Sequence, residues 1–134
     1  MIDILILDHD EDVRTVMKAV LETNLFKVET LSIRHLLVED IAKAILTFDP
    51  KVVLYDLGPP PLTQSFDRWQ QVVSKLYPKD TAFILMTSNP WLFGKAPMCR
   101  IRMLLPRPVG LNELTKAIQF FIKEYPCHES NDEM

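Results

Sequence analysis

The sequence predicts an α/β fold, a doubly wound sheet of five parallel strands with helices on both faces. Three observations predict it. Short apolar runs alternate with segments of helical period five times along the chain. Two of those runs, Ile4-Leu5-Ile6-Leu7 and Val52-Val53-Leu54-Tyr55, end in an aspartate, Asp8 and Asp56. The runs are also of two kinds: some are apolar throughout, and others carry a charge at every second residue.

Residues 2–7 read as a continuous apolar strand. Residues 11–23 read as a helix, with Val13, Val16, Met17, Val20 and Leu21 at helical spacing and Asn24 as its stop. Residues 25–31 alternate, with Phe26, Val28 and Thr30 on one face and Lys27 and Glu29 on the other. A second helix over residues 33–48 rests on Leu37, Ile41, Ala44, Ile45 and Phe48. Asp49-Pro50 ends it, because a proline disfavours the helical region for the residue before it. The strand 51–56 follows, then the loop Gly58-Pro59-Pro60-Pro61. Phe66, Trp69, Val73 and Leu76 place a third helix over residues 65–77, and residues 82–86 are again apolar throughout. Residues 89–97 contain two prolines and a glycine, so any helix there is short. Residues 100–104 alternate, and Leu111, Leu114, Ile118 and Phe121 mark a final helix.

Strands one, three and four are apolar on both faces, which suits central parallel strands covered by helices on each side. Strands two and five carry alternate charges, which suits edges. The order 2-1-3-4-5 satisfies both, and is the flavodoxin-like arrangement. We place one domain in residues 1–125, with residues 126–134 as a disordered tail or the stub of a linker.

At 134 residues the chain can bury a full core. A formal net charge of -3 with no basic stripe argues against nucleic acid as a ligand. No apolar run reaches the length of a membrane span, and the N-terminus lacks the basic start and long apolar stretch of a signal peptide. Cys99 and Cys127 form no framework and read as reduced thiols. A cytoplasmic location is therefore expected.

A carboxylate beside a buried strand is costly unless a cation or hydrogen bonds compensate it. Two such strands in a parallel sheet bring Asp8 and Asp56 to one crevice at their carboxyl ends, where open α/β sheets hold ligands. An acidic crevice is in turn a site for a hard divalent cation.

These residues resemble the receiver domain of bacterial two-component response regulators, over about the first 124 residues. Leu5-Ile6-Leu7-Asp8-His9-Asp10-Glu11-Asp12-Val13-Arg14 is similar to the family's first strand and its paired acids. Asp56 with Pro60 matches the phosphoacceptor aspartate and the proline four residues beyond it. Thr87 stands where the family's hydroxyl residue ends the fourth strand, and Arg107-Pro108 where a basic residue precedes a proline. The resemblance implies phosphoryl transfer to Asp56 from a histidine kinase or phosphotransfer protein. Mg²⁺ would be held by Asp8, Asp56 and the Gly58 carbonyl, and Thr87 and Arg107 would bind phosphoryl oxygens. It also implies a stoichiometric phosphoacceptor rather than a turnover enzyme, and a cis Arg107–Pro108 bond.

Three departures stand out. His9 takes the place of the second acid, a direct metal ligand in the family, so the candidate metal ligands are Asp8, His9, Asp10, Asp56 and Gly58, with Asp10 compensating from the next position. Imidazole suits Zn, Cu or Ni better than Mg, so weak Mg²⁺ binding is expected. Arg107 replaces a lysine, and a planar fork is not a compact ammonium. Leu104 occupies the position of an aromatic switch residue. An alternative reading is a pseudo-receiver that acts through protein contacts without phosphorylation. Another is a small phosphohydrolase of haloacid-dehalogenase type, since Asp8-His9-Asp10 resembles its D-x-D motif with Asp8 as nucleophile. Asp8 with Glu11 also reads as a capping-box-like helix start, and Arg107 as a structural partner of the acids. Trp91, Leu92 and Phe93, framed by Arg100 and Arg102, are expected to form a contact face. It would support a homodimer through residues 90–105 and the last helix.

Overall fold

The computed structural model describes residues 2–58, 62–77, 79, 81–87, 101–106 and 110–124. The expectations for Pro60, the short helix at 89–97, the Trp91 face, Arg107-Pro108 and the tail lie outside the described residues.

The elements run β1 (Ile4–Asp8), α1 (Glu11–Thr23), β2 (Val28–Ser32), α2 (Val38–Phe48) and β3 (Val52–Asp56). Then come α3 (Leu62–Leu76), β4 (Phe83–Thr87), β5 (Ile101–Pro106) and α4 (Leu111–Glu124). The strands form one parallel sheet in the order β2-β1-β3-β4-β5, as the two kinds of strand predict. Every residue of β1, β3 and β4 is buried, which explains why those runs are apolar at successive positions.

The pleat divides the core in two, because successive side chains point to opposite faces. Leu5, Leu7, Val53, Tyr55, Phe83 and Leu85 face α2 and α3, where they meet Ile41, Ile45, Trp69, Val72 and Leu76. Ile4, Ile6, Val52, Leu54, Ile84 and Met86 face α1 and α4, against Met17, Leu21, Leu114 and Ile118. Trp69 meets Phe83 edge-on at a centroid distance of 5.4 Å, and Tyr55 meets Phe83 likewise at 6.4 Å.

Several boundaries differ from the periodicity, each for a local reason. β2 begins at Val28 rather than residue 25, because α1 ends in a turn that carries Leu25 to φ 70. α2 begins at Val38 rather than residue 33. The Ile33 N–H donates to the Asp8 carbonyl instead, and Arg68 on α3 donates to the carbonyls of Ile33 and Leu36. Leu37 is therefore the exposed N-cap of α2 and no part of its apolar face; its N–H donates to the Asp40 carboxylate at 3.2 Å. Val16 also lies exposed, at the margin of the stripe that buries Met17 and Leu21. α3 begins at Leu62, before residue 65. Among the described residues no helix is long and apolar enough to cross a membrane.

Candidate functional site

The acidic crevice forms where β1, β3 and β4 end. The register Leu7↔Tyr55 places Asp8 and Asp56 level on adjacent strands, one step further along. Thr87 follows Met86, which pairs with Asp56. Asp8, Asp56 and Thr87 are all buried, at 0%, 5% and 0% exposure. Three polar side chains at three neighbouring strand ends are unusual in a core made mostly of aliphatic and aromatic groups.

Both aspartates turn the chain in the same way. The Asp8 carboxylate accepts from the Asp10 N–H at 2.9 Å, and the Asp56 carboxylate from the Gly58 N–H at 3.1 Å. Each is an aspartate bonding its own backbone two residues on, the turn that lets a strand leave its sheet abruptly. Gly58 adopts φ +85, a region a side chain would strain.

Asp10 is the N-cap of α1: its carboxylate accepts from the Val13 N–H at 3.1 Å. The cap is thus Asp10 and not Asp8, which lies too far back along the strand to reach the third helical N–H. Glu11 and Asp12 occupy the first turn, where carboxylates suit the positive end of the helix.

His9 turns inward. Its Nδ1 lies 3.0 Å from Asp56 Oδ2, and its backbone N–H lies 3.5 Å from the same oxygen. A Cβ built on Gly58 would come within 2.6 Å of the His9 ring, so the bare glycine makes room for the imidazole. The backbone on either side is held as well. Arg14 donates to the Asp8 carbonyl at 2.8 Å, and Arg34 to the His9 carbonyl at 3.2 Å. Arg14 closes the segment that resembles the family's first strand and acids, but the sequence gives neither arginine a role at the site. A basic residue one turn into α1 or in the β2–α2 turn carries no periodic signal.

The structure therefore brings together Asp8, His9, Asp56, Gly58 and Thr87, and turns Asp10 to its helix. Leu104 lies in β5 opposite Leu85. Among the described residues no group of three or more His, Cys, Asp or Glu side chains is arranged to hold a metal ion. Two carboxylates supply the hard oxygen donors a divalent cation takes, and the His9 ring stands against one of them.

No protein-family model matches the chain, and no curated protein matches it in sequence. The fold does have counterparts: it is the doubly wound fold of CheY-like response-regulator receiver domains. A receiver domain from Methylobacillus flagellatus is 19% identical, with a TM-score of 0.68 over 89% of this chain and 97% of that one. The non-phosphorylated HemR receiver domain from Leptospira biflexa is 21% identical, with a TM-score of 0.69 over 91% and 94%. The response regulator TrrA from Thermotoga maritima, solved in complex with Mg²⁺ and BeF, is 18% identical with a TM-score of 0.67. It covers 89% of this chain and 97% of its own.

Proposed function

We propose that this chain is a two-component receiver module, in which Asp56 accepts a phosphoryl group from a histidine kinase or phosphotransfer protein. The signal would pass on through protein contacts. One observation carries the reading: buried Asp8 and Asp56 stand level at the carboxyl ends of adjacent strands, with Thr87 ending the next. An Asp56 carboxylate oxygen would attack the phosphorus of a phosphohistidine. The O–P bond forms, the N–P bond breaks, and the donor imidazole takes a proton as it leaves. Thr87 would donate its hydroxyl to a phosphoryl oxygen, and Arg107 would supply a cation to the others.

Asp8 and Asp56 are the residues that would hold Mg²⁺, with the Gly58 carbonyl as a further oxygen donor. When bound, the ion neutralises charge on the transferred group. The donor set fits once the imidazole leaves Asp56, and weak Mg²⁺ binding is the expectation. The protein is then a stoichiometric acceptor and not an enzyme with turnover, working in the cytoplasm. The phosphohydrolase alternative is not favoured, because the Asp10 carboxylate caps α1 instead of serving as an acid or base beside Asp8.

Incubation with acetyl phosphate and Mg²⁺ followed by intact-protein mass spectrometry tests the reading. A gain of one phosphoryl group in the wild type, lost in Asp56→Asn, is expected. An unmodified wild type, or an equal gain in the variant, would refute it.

A further inference from the structure

The acidic crevice contains one group that two-carboxylate chemistry does not need, the imidazole of His9. An ionised carboxylate only accepts hydrogen bonds. His9 Nδ1 lies 3.0 Å from Asp56 Oδ2, so the ring stands against one of the oxygens that a cation at Asp56 would take. In this pose the imidazole occupies the cation's place beside Asp56.

The ring is also seated. It fills the gap between the Asp56 carboxylate and the Gly58 turn, where any side chain at residue 58 would collide with it. Gly58 at φ +85 is the turn whose carbonyl a cation at Asp56 would share. The backbone around the ring is fastened by Arg14 at the Asp8 carbonyl, Arg34 at the His9 carbonyl and the Asp10 N–H on the Asp8 carboxylate. Freeing Asp56 thus requires the imidazole to rotate about its own side-chain bonds while the β1–α1 turn stays in place.

We propose that His9 is an intramolecular latch on Asp56: imidazole and divalent cation are mutually exclusive occupants of the crevice, and the acceptor becomes available only when the ring swings out. This rests on the receiver reading for its purpose, but the competition itself does not. The latch makes a prediction opposite in sign to a ligand role. Removing a ligand weakens metal binding; removing a rival strengthens it. Hydrogen bonds to charged groups lie at the strong end of the range. Mg²⁺ affinity is accordingly expected to rise about tenfold in His9→Ala, or about 1.4 kcal/mol.

Calorimetric titration of MgCl₂ into wild type, His9→Ala and Asp56→Asn makes the comparison. Tighter binding in His9→Ala, abolished when Asp56→Asn is added to it, supports the latch. Equal or weaker binding in His9→Ala overturns it. A second readout uses the wild type alone, so that a variant that fails to fold does not end the matter. In ¹⁵N NMR, saturating Mg²⁺ should move the His9 Nδ1 resonance away from its carboxylate-bonded position; Mg²⁺ binding with that resonance unmoved overturns the latch. The receiver reading fails by a different result: no phosphoryl group on Asp56 from acetyl phosphate in either wild type or His9→Ala, whatever the Mg²⁺ affinities.

Discussion

The Thr81 hydroxyl, just ahead of β4, is buried with no hydrogen-bond partner among the described residues. A buried hydroxyl that has left water without replacing its bonds is destabilising. Thr81→Val keeps the shape and removes the orphaned group. Stability should rise by about 1 kcal/mol, read as a higher urea midpoint; a lower midpoint would mean the hydroxyl is satisfied. The same contrast explains which site residues were legible in the sequence. Asp8, Asp56 and Thr87 close apolar runs, and a polar residue there needs a reason. The inward turn of His9 was not legible. It depends on a side-chain rotation and on a left-handed Gly58 in the turn after β3, and neither leaves a mark in residue spacing. Asp10 as cap was hidden for a related reason: Asp8, Asp10, Glu11 and Asp12 all suit a helix start, and only backbone geometry selects one.

The end of α1 shows how elements meet. The Phe26 N–H donates to the Leu21 carbonyl at 3.2 Å, and the Leu25 N–H to the Glu22 carbonyl at 3.0 Å. That crossed pair is a Schellman stop, and it puts Leu25 at φ 70, where glycine is the usual occupant. Leu25 is 90% exposed, so its side chain gains little in return. Leu25→Gly should therefore stabilise the fold by about 1 kcal/mol, the left-handed penalty relieved less the entropy a glycine adds. Thermal melting of the pair checks this, and an unchanged or lower midpoint would contradict it. Asn24 was readable as the stop, but the extra turn residues that delay β2 to Val28 were not. Alternation of Phe26 and Val28 looks the same whether the backbone is extended or turning. Edge and central strands, by contrast, were separable from charge alone, because a charge in a strand covered on both faces has nowhere to go.

Across the whole molecule, Tyr55 ties the sheet's stability to pH. Burial pushes its phenol up to about 12, with the negative Asp56 adding to the rise and Arg68 opposing it. The folded state keeps this proton while the unfolded chain releases it near the ordinary value of 10.0. The unfolded state then binds fewer protons, so stability falls as pH rises from about 10 towards about 12. Urea midpoints measured across that window should drop in the wild type and drop less in Tyr55→Phe. Parallel slopes would show that another group governs alkaline unfolding.

The placement of β1 between β2 and β3 bears on how the chain is made. β1 is held by β2 on one edge and by β3 on the other. As the polypeptide leaves the ribosome, residues 2–48 can assemble β1, α1, β2 and α2 as a half-built layer. Its open margin is the apolar row from Ile4 to Leu7, and it stays open until residues 52–55 emerge to cover it. For that interval the nascent chain presents a bare, ready-made strand edge, the feature that recruits wrong partners and holdase chaperones. A longer delay between the emergence of residue 48 and that of residues 52–55 thus lengthens the exposure of this edge.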